Sequence, residues 1–477
     1  MKELKETLKR IWGYDDFRYP QNEIINSLLE GKDTSIILPT GMGKSLCFQL
    51  PALLQEGLTL VISPLVALME NQVQELQEKK LSANLLHSQL SPLERRKVLK
   101  EIEDQKLRLL YLSPETLLSP PVWQKLINPR LKINGLILDE AHCLAQWGET
   151  FRPEYRRLGI ARETLLKQRS KTEKIAIAAF TATANPQAQV NIKNSLKLKE
   201  SQQFSVNPYR NNLFLKVKIV WTPRGRKNET LKFLNKHQNS SGLIYVRTRK
   251  DSEEISQFLQ EKGYLNLPYH AGLSPQERRN IEQQWLTGKI KFVVCTNAFG
   301  MGINKADVRW ILHYQAPLLL SEYIQEIGRG GRDGKPTETL TLISEPTGLL
   351  NPEDQQRNQF FLDSLKKQYY NAEKIANQLP KQGNIEEISQ QFKQGKIALS
   401  LLNHAGIIQW VTPFEYIKNS QVKINISDLI NTHQQSYLEM KKYLTLKTCR
   451  WQYLLNQFGF IKEAINLKCG HCDNCCK

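Results

Sequence analysis

Short, wholly apolar runs alternate with helix-periodic stretches along most of this chain. The run from Ser35 to Leu38 precedes a glycine-containing turn, and SLCFQLPALL then has helical periodicity. The unit recurs at LTLVISPLVALMENQVQEL, with its strand over Leu58 to Ser63, and at RLLYLSPETLL and INGLILDEAHCL. A fifth copy is IAIAAFTATANPQAQ, with Ile175 to Thr181 as strand. Strands that are apolar on both faces and alternate with helices describe a parallel sheet covered on both sides. This predicts an α/β lobe over residues 1–206. The pattern restarts after Pro208, with SGLIYVRT, KFVVCTNAF, RWILHYQ and ETLTLIS as strands. A second α/β lobe is expected over 207–347, joined through the polar stretch SQQFSVNPYRNNL. Residues 348–435 read as a mainly helical region rich in Gln, Asn and Lys. Within it NIEEISQQF, KIALSLLNHAG and IIQWVTPFEYI outline a winged-helix-like module. Residues 436–477 form a last, cysteine-rich segment.

The chain has 66 Lys and Arg against 47 Asp and Glu, a formal charge of +19. That favours polyanionic partners, nucleic acid among them, and also serves solubility. With 40 % hydrophobic residues a wholly disordered chain is excluded. No stretch approaches about 18 uncharged apolar residues, so no membrane span is expected. The N-terminus, MKELKETLKRIWGY, has no apolar signal-peptide core. The protein is expected inside the cell and not secreted.

The stretch LPTGMGKS lies after a strand and before a helix. There the backbone N–H groups of Thr40, Gly41, Met42, Gly43 and Lys44 can cradle phosphates. Lys44 adds a positive charge at the β and γ phosphates, and Ser45 can bind Mg²⁺. The general phosphate loop has an earlier glycine where this chain has Leu38. LILDEAHC supplies the acidic partner at the end of another strand. Asp139 can hold Mg²⁺, directly or through water, and Glu140 can polarise the attacking water as general base. His142 fits a role coupling the nucleotide to neighbouring loops. In QEIGRGGRDG, Arg329 and Arg332 are three residues apart and could share a helical face. They are candidates for charge compensation in the transition state, and Gln325 could touch the nucleotide or the water.

Together TGMGKS, DEAH, TAT at 181–183 and QEIGRGGRDG resemble the motifs of a superfamily-2 helicase. More narrowly, the chain resembles the RecQ family of DNA helicases. WGYDDFRYPQ at 12–21, ISPLVALMENQV at 62–73, LSPE at 112–115, QWGETFRPEY at 146–155, YHAGL at 269–273 and CTNAFGMGINK at 295–305 carry the match, which spans roughly residues 12–343. The resemblance implies two tandem RecA-like lobes that use ATP and Mg²⁺. It implies 3′→5′ movement on single-stranded DNA and unwinding of tailed or forked duplexes in repair or recombination. By the same resemblance Tyr14 stacks on the adenine, Arg18 approaches the nucleotide and Gln21 bonds the adenine edge. A monomer is expected, with a single-strand-binding protein as a further partner. The expected location is the cytoplasm or nucleoid of a bacterium, or the nucleus of a eukaryote.

The same resemblance assigns a DNA track. Trp147, Phe151 and Arg152 lie in the family's aromatic-rich loop, where they can stack on bases and embrace phosphates. The family usually has His-Asp after WG, and this chain has Glu149 and Thr150, which weakens the expected coupling to DNA. Ser63, Pro64, Gln72, Ser113, Pro114, Arg247, Thr248 and Arg249 are expected to contact phosphates without reading sequence. His270 could contact DNA or order its own loop.

Five of the eight cysteines fall in the last 29 residues. Cys449, Cys469, Cys472 and Cys475 are separated by 19, 2 and 2 residues, a spacing that closes a tetrahedral four-thiolate Zn²⁺ site. His471, between two of them, is left out, and Cys476 is the spare thiol. The zinc module resembles that of the RecQ family. The chain ends at Lys477, so it reads as a short form without the downstream winged helix and its strand-separating hairpin. Three other functions compete with the helicase: a DNA-stimulated translocase that barely unwinds, an RNA helicase, and a non-catalytic scaffolding DNA-binding protein, against which the intact Lys44, Asp139, Glu140, Arg329 and Arg332 argue.

Overall fold

A computed structural model describes residues 2–144, 152–170, 172–300, 303, 305–419, 421 and 426–476. The chain divides into two compact units that are not contiguous in sequence. One comprises Met1–Val206 with Ser364–Asn431, and the other Asn207–Asp363 with Thr432–Lys477.

The first unit is built on seven parallel strands: β1 (Thr34–Ile37), β2 (Leu58–Ile62), β3 (Ala83–Leu86), β4 (Leu109–Leu112), β5 (Ile133–Leu138), β6 (Ala176–Thr181) and β7 (Gln202–Ser205). Their order is β3-β4-β2-β5-β6-β1-β7. Alternation along the strands feeds two cores. Leu60, Ile62, Leu136 and Leu138 face one side, while Val61, Ile137, Ala178 and Phe180 face the other. The five apolar runs became β1, β2, β4, β5 and β6. The two further strands are the edges, β3 and β7, where the lower demand for burial leaves no apolar run to read. A salt bridge fastens the base of this sheet. Arg162 Nη1 lies 2.7 and 2.6 Å from the two Asp33 carboxylate oxygens, and Asp33 also accepts from the Ile177 and Lys199 backbone N–H groups.

The second unit holds six parallel strands: β8 (Leu213–Val220), β9 (Ser241–Tyr245), β10 (Asn266–Tyr269), β11 (Phe292–Cys295), β12 (Val308–His313) and β13 (Thr337–Ser344), in the order β10-β11-β9-β12-β13-β8. The edges β8 and β10 again lie outside the apolar runs. The edge β8 is covered by the C-terminal segment. Leu215 pairs in parallel with Cys472, and Val217 N–H donates to Asp473 Oδ2 at 2.9 Å. This satisfies the first half of an otherwise open strand edge.

The helix Glu353–Gln378 starts in the second unit and ends in the first. Its second half buries Leu365, Tyr369, Ala372, Ile375 and Ala376. These join the core of a small module containing β14 (Gln382–Asn384), the helices Ile385–Gln391 and Gly395–His404, β15 (Ile408–Trp410) and β16 (Glu415–Lys418). The strands form an antiparallel sheet in the order β14-β16-β15. Helix, strand, helix, helix and a strand hairpin is the winged-helix order. Leu399, Leu401 and Leu402 are core residues there.

Breaking one side of a buried ion pair strands the other charge. Arg162→Ala should therefore destabilise the first unit by about 3–5 kcal/mol, seen as an earlier urea transition by far-UV circular dichroism.

Candidate active site

Strand β1 passes to the helix Lys44–Leu54 through a turn in which Gly41 and Gly43 have φ of +87° and +70°. A Cβ on Gly43 would stand 2.5 Å from Gln21 Nε2, so glycine is required there for both conformation and space. The helix begins at Lys44, which leaves the unpaired N–H groups of its first turn facing the turn, as phosphate binding requires. Gln21 is buried. Its Nε2 donates to the Met42 carbonyl at 3.0 Å, and its Oε1 accepts from the Arg18 N–H at 2.9 Å. The amide thus latches the 12–21 segment onto the phosphate turn. One N–H and one lone pair remain on it for a further partner. Tyr14 is 56 % exposed and Arg18 is exposed, so an aromatic face and a guanidinium stand open beside the latch.

Strand β5 runs out at Leu138, and the Asp139 N–H still bonds the Ile62 carbonyl at 2.8 Å. Asp139 is buried. Burial and the adjacent Glu140 push its carboxyl above the ordinary carboxylate range, and the Lys44 charge opposes them. Glu140 has φ of +51°, a left-handed conformation uncommon outside glycine. Its Oε2 lies 3.1 Å from His142 Nδ1, which is also 3.2 Å from Thr181 Oγ1. Burial works against a charged His142 ring, but Cys143 and Glu140 outweigh it and raise the pKa. Thr181 Oγ1 in turn accepts from the Thr183 N–H at 3.2 Å. A chain of contacts thus joins the acid at the end of β5 to TAT at the end of β6. Ser63 and Pro64 follow β2, and Ser113 and Pro114 follow β4; all four are buried. Ser113 caps the short helix Pro114–Leu117 by accepting from Thr116 N–H at 3.2 Å. Gln72 is half-buried on the helix Val66–Glu78. Arg152 Nη1 pairs with Glu115 Oε1 at 2.8 Å. Trp147, Glu149, Thr150 and Phe151 lie outside the described residues.

In the second unit the helix Leu320–Ile327, which carries half-buried Gln325, ends at Gly328. Arg329 and Arg332 therefore lie in the following turn. The shared helical face considered from their spacing does not form, because three glycines follow in GRGG. Both side chains nevertheless converge on one segment. Arg329 Nη1 donates to the Gly300 carbonyl, and Arg332 Nη1 to Ile303 at 3.2 Å. Gly300 has φ of +100°, and a Cβ there would meet the Arg329 guanidinium at 2.7 Å. Asn212 Nδ2 holds the turn through the Gly331 and Lys335 carbonyls, each at 2.8 Å. Sequence reading missed this role, because RNN looked like linker.

Arg247 is engaged inside its own lobe. Its Nη1 and Nη2 grip Glu326 at 2.8 and 2.7 Å, and its Nε donates to the Gln315 carbonyl at 3.2 Å. This departs from the phosphate contact expected of it: a buried carboxylate has taken the whole fork. Burial works to raise the Glu326 carboxyl, but Arg247 and His313 overcome it and hold it down to about 2. Arg249 is exposed at the start of the helix Arg249–Glu261, which Thr248 caps. His270 is buried; its Nδ1 accepts from Gly272 N–H at 3.2 Å, and its Nε2 lies 3.0 Å from Glu253 Oε1. Those contacts order its loop.

The sulfurs of Cys449, Cys469, Cys472 and Cys475 lie within 4.8 Å of one another. Those of Cys469 and Cys475 are 3.9 Å apart, close to the ~3.8 Å edge of a tetrahedron with 2.3 Å metal–sulfur bonds. The four residues fit a closed zinc site. His471 faces away, with Nδ1 2.8 Å from the Leu213 carbonyl and Nε2 3.0 Å from the Tyr209 hydroxyl. Cys476 is exposed. Arg450, next to the first ligand, donates to both Asp473 oxygens and so secures the loop.

Two parallel-sheet lobes with a phosphate turn, DEAH and a paired-arginine turn define a helicase of the DEAD/DEAH-box class. Three family models match: DEAD/DEAH box helicase over residues 18–191, helicase conserved C-terminal domain over 226–334, and RecQ zinc-binding over 416–476. A Synechocystis protein described as ATP-dependent DNA helicase RecQ is 52 % identical over 99 % of this chain and 98 % of its own. A Bacillus subtilis protein described as probable ATP-dependent DNA helicase RecS is 38 % identical over 72 % of this chain and 67 % of its own. The chain belongs to the RecQ family. The solved structure of S. cerevisiae Dbp5 bound to RNA and ADP BeF3 covers 76 % of this chain and 92 % of that one, with a TM-score of 0.58 at 16 % identity, a likeness of fold alone.

The protein as purified should carry one zinc per chain by atomic absorption. Cys472→Ser should lose it, and Cys476→Ser should keep it.

Proposed function

We propose that this chain is an ATP-dependent DNA helicase that couples hydrolysis to 3′→5′ movement on single-stranded DNA and to unwinding, in repair or recombination. The observation that carries this reading is the collection of Lys44, Asp139, Glu140 and the His142–Thr181 contact at one edge of one parallel sheet. Family membership supplies DNA as the polymer. Backbone N–H groups at residues 40–44 and the Lys44 ammonium would hold the phosphates. A Mg²⁺ ion would offset phosphate charge. Asp139 suits it as a ligand, since a carboxylate raised by burial and like charge is stabilised by a cation, and Ser45 is the expected partner ligand. Glu140 would orient and deprotonate the water, and Gln325, Arg329 and Arg332 would answer the charge that develops at the γ phosphate. Tyr14, Arg18 and Gln21 would hold the base. Trp147, Phe151, Arg152, Ser63, Pro64, Gln72, Ser113, Pro114 and Arg249 would line the track. We further read the protein as a monomer working beside a single-strand-binding protein, in the cytoplasm or nucleoid of a bacterium or the nucleus of a eukaryote.

One observation favours a second reading, a translocase with little unwinding. The β15–β16 hairpin has Pro413 buried and Phe414 packed on Trp123, so of its apolar tip residues only Val411 is exposed, a small surface for a wedge between strands.

ATP turnover with and without single-stranded DNA, followed by strand displacement on 3′- and 5′-tailed duplexes, tests both readings. Lys44→Ala should cut turnover by about 10²-fold or more while sparing DNA binding. Turnover that survives it would refute the site. Stimulation without displacement would select the translocase. Stimulation by RNA and not DNA would refute both.

A further inference from the structure

A winged helix that reads duplex DNA leaves one face of its third helix and the tip of its hairpin free. Here the helix is not free, and the hairpin tip is only partly so. In the helix Gly395–His404, Ala398, Leu399, Ser400, Leu401 and Leu402 are all buried. At 100° per residue, five consecutive positions pass right around a helix, so both faces are covered. One cover is the module's own core; the other is the short 3₁₀ turn Pro153–Arg157 of the first lobe. The hairpin tip is held on one side, with Phe414 edge-on to Trp123 at 5.6 Å and Val411 left exposed.

The turn that receives this helix is itself unusual. Glu154, Tyr155, Arg156 and Arg157 are all buried. Three consecutive side chains fan out to three different parts of the unit. Arg157 Nη1 donates to the Pro413 carbonyl at 2.9 Å, and its guanidinium lies over the Trp410 ring at 5.9 Å. Arg156 Nη2 donates to the Leu144 carbonyl at 3.1 Å, joining chain on either side of residues 145–151. The Tyr155 hydroxyl, with its ring fully buried, donates to the Asp139 carbonyl at 3.2 Å. Trp410, Arg157, Tyr155 and Asp139 thus form a continuous mechanical line from the module to the acid of the ATP site.

We infer that the module is a brace, and that Tyr155 and Arg157 are positioning residues through which it sets the Asp139 backbone during DNA-stimulated hydrolysis. The inference rests on the reading of this chain as a DNA-stimulated ATPase. A guanidinium is costly to bury, and Glu154, 3.6 Å from Arg157, offsets that cost within the turn. The line is therefore stiff: each end is a backbone carbonyl gripped by a buried donor. The brace acts on turnover, since what it holds is the acid's backbone and not the base or phosphate contacts.

The test uses full-length Tyr155→Phe, Trp410→Ala and Trp410→Phe. Turnover is measured without DNA and across a titration of oligothymidylate, together with the KM for ATP and the melting temperature. Tyr155→Phe removes one hydroxyl and keeps the ring. It should lower the DNA-stimulated kcat by about 3- to 10-fold, the worth of one hydrogen bond, with the DNA-free rate and the KM for ATP little changed and the melting temperature lowered by no more than about 2–4 °C. Trp410→Ala should lower it similarly, and Trp410→Phe should restore it. Wild-type stimulated turnover in Tyr155→Phe would overturn the inference. So would an equal fall in the stimulated and DNA-free rates, which is the mark of mere structural support. If Trp410→Ala fails to fold, Tyr155→Phe decides alone. Absence of DNA stimulation in the unmodified protein would instead defeat the underlying reading, and the brace with it.

Discussion

Parallel pairing obliges every strand of a sheet to end at the same edge, because each connection must cross back before the next strand begins. The first lobe depends on this constraint. Residues far apart in sequence, from the phosphate turn after β1 to Ser63, Ser113, Asp139 and Thr183, arrive together because each follows a strand of one parallel sheet. The same edge is where unpaired helix N–H groups and strand-end carboxylates accumulate, so the phosphate cradle and the acid that opposes it arise from one geometry. The strain at Glu140 and the raised carboxyl of Asp139 are concentrated there as well. The rest of the lobe, including the Asp33–Arg162 pair at its base, is conventional packing that keeps the edge in place.

In the second lobe buried charge is used for order. Arg247 and Glu326 close on each other completely, and His313 adds a contact at 3.0 Å. The result is a fixed platform under the helix Leu320–Ile327, from which the glycine-rich arginine turn springs. At the far edge the zinc loop serves as a cover for β8, so the metal site and the sheet stabilise each other.

Much of this was legible beforehand. Central strands such as LTLVI and FVVC announce themselves, because burial on both faces demands unbroken apolar residues. The phosphate turn, DEAH and the four cysteines are local spacings, and local spacings survive in any sequence. Edge strands such as QQFS and NLPY were not legible, because a strand half open to water has no reason to be apolar. The partners of Arg247 and His270 were equally hidden. A lone arginine or histidine gives no sign of whether a buried carboxylate lies 79 residues away, as Glu326 does for Arg247, or 17 away, as Glu253 does for His270.

The sequence by itself determined the two sheets, the chemistry of the ATP motifs and the cysteine ligand set, because each is written in residues that are neighbours in the chain. Only the tertiary structure decided what the winged-helix-like module does with its third helix, and which carbonyl Tyr155 holds. Those outcomes depend on which surfaces exclude water together. For the module that choice is settled by packing between residues 256 apart, Arg157 on Pro413, and for Tyr155 by the Asp139 carbonyl 16 residues away; no local pattern records either.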